Sequence, residues 1–147
     1  MIAAALTLLA QAAPVTIEVS NVRNDHGLVR VGLCPKERFL GDSCPYEGKA
    51  PARIGTTEIV LPDVPPGDYA VQAFHDENSN DKVDRGLFGI PKEGVGFSRD
   101  ARIGLGPPKW RDAMFSHGST PQMARFSLRY FMGPSSPEEW RQAHPGK

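Results

Sequence analysis

Apolar and polar residues alternate along several stretches of the chain, and a two-residue period marks strands with one buried face. The first stretch is Val15-Thr16-Ile17-Glu18-Val19-Ser20-Asn21-Val22. The second, Leu28-Val29-Arg30-Val31-Gly32-Leu33, follows the turn cluster Asn24-Asp25-His26-Gly27, so the two predict an antiparallel hairpin. Glu58-Ile59-Val60-Leu61 predicts a third strand ended by Pro62. Pro66-Gly67 then suits a tight turn, since proline presets φ and glycine accepts positive φ. In the strand that follows, Tyr69, Val71 and Ala73 share one face, and Ala70, Gln72 and Phe74 share the other. Met123 to Phe131 is the last alternating stretch. Residues 34–53 and 76–122 lack such a pattern and predict loops. Pro108 to Phe115 allows one or two helical turns, and the capping box Ser136-Pro137-Glu138-Glu139 predicts a short helix over 137–143.

This pattern predicts an all-β sandwich of about six to eight strands, immunoglobulin-like or prealbumin-like, with a short C-terminal helix. Ile17, Val19, Val31, Tyr69, Val71, Phe74, Phe126 and Leu128 are its expected strand residues with buried faces. Composition agrees. Gly and Pro contribute 15 and 14 residues, which favours short strands and turns over long helices. A length of 147 residues accommodates one domain with a core. Seventeen basic residues balance seventeen acidic ones, and this zero net charge removes the usual electrostatic argument for nucleic-acid or anionic-membrane binding by the chain as a whole.

The apolar run Ile2 to Ala10 is too short to span a bilayer, which takes about 20 residues. It is followed by Ala10-Gln11-Ala12, the small-x-small pattern of a signal-peptidase site, although no basic residue precedes it. The chain therefore divides into a signal-like segment 1–13, one domain over 14–133 and a tail over 134–147. The expected location is periplasmic or secreted, without a transmembrane anchor, and the partner is an unknown one in the envelope or outside the cell. In that setting Cys34 and Cys44, the only cysteines, predict a disulfide closing a small loop; a metal site would want more ligands.

The densest polar cluster is His75-Asp76-Glu77-Asn78-Ser79-Asn80-Asp81-Lys82-Val83-Asp84. Asp76, Asn78, Asn80 and Asp84 occupy the first, third, fifth and ninth places of a calcium loop, where alternate side-chain oxygens converge on one hard cation. Asp81 stands where an EF-hand has glycine, and Leu87 where it has a bidentate acid. An EF-hand proper is therefore not expected. Two readings stay open: a looser calcium loop completed by Glu93, or a turn whose Asp and Asn side chains cap their own backbone.

A strand, Pro-Pro-Gly turn and Tyr-x-Val strand resembles a recurrent hairpin of prealbumin-like and immunoglobulin-like sandwiches. A wider resemblance rests on His75-Asp76-Glu77-Asn78-x-Asn80, Asp84, Gly89-Ile90-Pro91-Lys92-Glu93-Gly94-x-Gly96-Phe97-Ser98, Gly106-Pro107-Pro108 and Asp112-Ala113. Over about residues 15–131 the chain is similar to an uncharacterised bacterial family, domain of unknown function 2141. Ser79 and Asp81 depart from its pattern, which usually has glycine at both places. The cysteine pair and the C-terminal tail lie outside that pattern. The resemblance implies an exported β-sandwich and carries no activity.

Catalytic constellations are thin. His75, Asp76 and Glu93 around a pocket roofed by the Gly-rich loop are the candidate set of a small hydrolase, which requires a concave, partly open site. Ser98 lies outside any nucleophile elbow. Zinc held by His75, Asp76, Asp84 and Glu93 lacks a second His or a Cys. His26, His117 and His144 read as solvated. Arg99, Arg102, Lys109 and Arg111 lie around Trp110 in the sequence as a basic, aromatic surface or, more simply, a solvated face; His75, Phe97 and Trp110 are the candidate binding residues, and His75 reads more simply as a hydrogen-bonded structural residue. The functional expectation is an exported, non-catalytic binding or accessory module, with calcium as a structural staple.

Overall fold

A computed structural model describes residues 11–83 and 91–146. It is an all-β protein. Its elements are β1 (Ala13–Val22), β2 (Leu28–Cys34), β3 (Tyr46–Pro51), β4 (Gly55–Val64), β5 (Gly67–Asp76), β6 (Val95–Phe97), α1 (Trp110–Ala113), β7 (Phe115–His117), β8 (Gln122–Ser127) and α2 (Pro137–Ala143).

Two sheets form. A three-stranded sheet has the order β4-β1-β8, with β1 antiparallel to β4 and parallel to β8. A five-stranded sheet has the order β3-β2-β5-β6, and β7 pairs with the first residues of β5. The predicted β1–β2 hairpin does not exist, because each of these strands takes its neighbours from elsewhere. The physical reason is burial. Val15, Ile17 and Val19 of one sheet and Val29, Val31 and Leu33 of the other belong to one hydrophobic cluster. Putting the two strands in different sheets lets these rows share that cluster. The Pro-Pro-Gly turn likewise joins strands of different sheets rather than forming a hairpin.

Other boundaries also shift. Residues 34–53 contain β3, which alternates half-buried and exposed positions. β4 runs through Pro62, tolerated because β4 is an edge strand whose only ladder partner is β1. β6 and β7 interrupt the segment read as loop, and β8 ends at Ser127 rather than Phe131. Inward-facing Ile17, Val19, Val31, Tyr69, Val71, Phe126 and Leu128 are buried, whereas Phe74 is half-buried on the opposite face of β5. Cys34 and Cys44 form the disulfide, with their Cα atoms 5.0 Å apart. Ser136 Oγ accepts the Glu139 N–H at 3.1 Å and so caps α2 as predicted. The apolar run 2–10 lies outside the described residues. Among the described residues no helix is long and apolar enough to cross a membrane.

Candidate functional site

β5 decides the geometry of the polar cluster. Tyr69, Val71, Ala73 and His75 face the core because they alternate, so His75 arrives inside at the end of the sheet. A buried imidazole needs partners on both nitrogens. Nε2 lies 2.8 Å from the His26 carbonyl, which only accepts, so Nε2 carries the proton. Nδ1 then accepts from the Tyr130 hydroxyl at 2.9 Å, and that hydroxyl accepts the Arg23 N–H at 3.0 Å. Burial lowers the His75 pKa, partly opposed by the His26 carbonyl and the Glu77 charge. Burial likewise raises that of the Tyr130 phenol.

Asp76 follows on the outer face and is fully buried. Its Oδ2 accepts from Arg30 Nε at 2.7 Å and from the Asp81 N–H at 2.9 Å. Its Oδ1 accepts the Asn80 N–H at 3.1 Å, and its carbonyl accepts the Ser79 N–H at 3.2 Å. Asn80 Oδ1 accepts the Lys82 N–H at 3.0 Å. Asp76 and Asn80 thus cap the backbone of their own loop. Arg30 extends to Asp81 Oδ1 at 3.2 Å. One guanidinium therefore pairs with two loop carboxylates.

Glu77 makes the other half of the cluster. Its Oε1 accepts from Arg23 Nη2 at 2.6 Å and its Oε2 from Asn24 Nδ2 at 3.1 Å. Its N–H donates to Glu93 Oε2 at 2.7 Å. Arg23 is itself buried; its Nη1 donates to the Met132 and Pro134 carbonyls, and its guanidinium lies 4.4 Å from the Tyr130 ring centre. Arg23, Asn24, Arg30 and Tyr130 escaped the reading of the chain as site residues. Tyr130 had a signal: it continues the inward alternation of Phe126 and Leu128.

Of the proposed ligand set, Asp76, Asn78, Asn80 and Glu93 lie around this loop, with Asn78 and Asn80 exposed and Glu93 buried. Asp84 lies outside the described residues. Among the described residues no three His, Cys, Asp or Glu side chains form a group that could hold a metal ion. The hydrolase arrangement fails on access. His75 and Asp76 have no exposed surface, and both His75 nitrogens are engaged. Ser98 is a packing residue too, since its buried Oγ donates to the Ala113 carbonyl at 2.6 Å and accepts the Val71 N–H at 2.9 Å.

Phe97 and Trp110 sit apart from this cluster. Both are half-buried and pack edge-on against Phe39, at 6.0 and 5.7 Å between ring centres. With Ala70, Ala101 and Ala113 they form a second apolar cluster that fastens the 98–113 segment to the five-stranded sheet. His117 was expected to be solvated. It is buried instead, bonded to Gln122 and shared between the Ala13 and Val64 carbonyls. The outer face of the five-stranded sheet is concave, with a volume of about 990 Å³ above Arg30, Gln72, Phe74 and Phe97.

Together these features define an all-β, two-sheet module in which His75 and Asp76, at the head of the densest polar cluster, are sealed from solvent. Residues 17–124 match the family described as an uncharacterized protein conserved in bacteria (DUF2141), and the chain belongs to that family. No curated protein and no solved structure matches it.

Proposed function

We propose that the chain is an exported, non-catalytic binding or accessory module with an immunoglobulin-like or prealbumin-like sandwich fold. The observation that carries this reading is the engagement of His75, Asp76 and Glu77 with Arg23, Arg30, Asn24 and Tyr130. Reactive groups used on a substrate need an open approach, whereas these hold a loop to a sheet. The apolar run 2–10, the Ala10-Gln11-Ala12 pattern and the Cys34–Cys44 disulfide support export. N-terminal sequencing of protein recovered from the periplasm of an expressing bacterium tests it. A mature chain beginning near Ala13 is expected, and an intact Met1 in the cytosolic fraction would overturn the reading.

Calcium as a staple of the 76–84 loop is the second reading, favoured by the oxygen spacing of Asp76, Asn78, Asn80 and Asp84 with Glu93. It requires Asp76 to lend a remaining lone pair to the ion beside the N–H groups it already accepts. Thermal melts in calcium and in EDTA decide it. At a hundredfold excess over Kd, binding to the native state stabilises by about 2.7 kcal/mol. A rise in Tm that Asp84→Ala abolishes supports the staple. Identical melts leave Arg30 as the cation of this loop.

A further inference from the structure

The segment following β6 is built as a closed loop. Its base is fixed by the Ser98 Oγ to Ala113 carbonyl bond and by Arg99 Nη1, which donates to the Met114 carbonyl at 3.3 Å. Trp110, Ala101 and Ala113 seat that base on Phe39 and Phe97. The apex lies at the other extreme. Leu105 is fully exposed, and a Cβ placed on Gly104 or Gly106 would touch nothing within 4 Å.

Bases flank this tip in two pairs along the chain. Arg99 and Arg111 stand at the base, and Arg102 and Lys109 stand nearer the apex, all exposed. None of the four is in an ion pair among the described residues. Of the nearby acids, Asp100 accepts the Ser127 N–H at 2.8 Å, and Asp112 is exposed on α1. Pro107 and Pro108 restrict the backbone behind the tip, so less conformational freedom is lost on docking. An apolar tip flanked along the chain by bases fits a surface that is anionic outside and apolar just beneath.

We infer that the 99–111 loop docks the protein on an anionic phospholipid bilayer. Leu105 enters the interface, Arg102 and Lys109 meet lipid phosphates, and Arg99 and Arg111 add to the attraction from the loop base. The chain as a whole has zero net charge, so the attraction rests on the local bases of this loop and is weak, reversible and sensitive to salt. The inference is independent of the 76–84 loop and of its ion.

Sedimentation of the oxidised, exported protein with vesicles tests it, comparing phosphatidylglycerol mixed into phosphatidylcholine with phosphatidylcholine alone. Binding is expected only with phosphatidylglycerol and should fade as salt rises. Each basic side chain contributes roughly fivefold, so Arg102→Gln with Lys109→Gln should weaken binding by about 25-fold. Leu105→Ser should weaken it by about tenfold or more, and Leu105→Trp should strengthen it. All these positions are exposed, so Tm should stay unchanged. Absent binding, equal binding to neutral vesicles, or binding indifferent to the loop substitutions would overturn the inference. So would retention after Leu105→Ser together with release by soluble polyphosphate, which would mark a site for soluble polyanions.

Discussion

Ser79 and Asp81 adopt φ of 54° and 62°, a region where an L side chain crowds its own backbone. Ser79→Gly should therefore stabilise by about 0.5–1 kcal/mol, measured by urea unfolding. Asp81→Gly should be nearly neutral, because it relieves the same crowding but gives up the exposed pair with Arg30. Equal gains from both would remove the role assigned to that pair. Gly27 shows the opposite situation. Its φ is 66°, and a Cβ there would lie 2.0 Å from the Asp76 carbonyl oxygen. Gly27→Ala should cost at least about 2 kcal/mol, and a smaller loss would mean that the 23–27 crossing yields easily.

At the scale of elements, alternation identified β1, β2, β4, β5 and β8 because each turns alternate residues toward the core. β3, β6 and β7 were missed for physical reasons. β3 buries no residue completely, and β6 and β7 have three residues each, too few to show a period. The disulfide belongs to this scale because it ties the end of β2 to the segment entering β3. Gly32 lies beneath it, where a Cβ would come within 3.3 Å of Cys44 Sγ. Reduction should cost about 2–3 kcal/mol through the released loop. Melts with and without reductant should then differ by roughly 10 °C. An unchanged Tm would show that the β2–β5 and β2–β3 ladders hold this loop alone.

Across the whole molecule, one buried network joins the turn after β1, the end of β5, the strand-like exit of β8 and the C-terminal tail. Arg23 contacts Glu77, Tyr130, Met132 and Pro134, and lies 5.5 Å from the Trp140 ring centre. His75 makes this network sensitive to pH. The unfolded chain takes up the imidazole proton near pH 6.5, whereas the folded chain resists it to lower pH. Acidification through that interval favours the state that binds the proton, so stability falls below about pH 6.5 and is fully present above it. The His75 ring resonances should titrate below the ordinary imidazole value, with a parallel fall in Tm. A midpoint at or above that value would contradict the closed, neutral ring. By itself the sequence determined the inward rows of the long strands, the helix cap, the disulfide partners and the family, since each rests on local period, short-range chemistry or a motif string. Only the tertiary structure decided which strands pair, that His75 and Asp76 are sealed, and that Arg23 and Arg30 answer the acidic loop. Those outcomes depend on which apolar rows share a core and on partners as far apart as Arg23 and Tyr130, which no local pattern encodes.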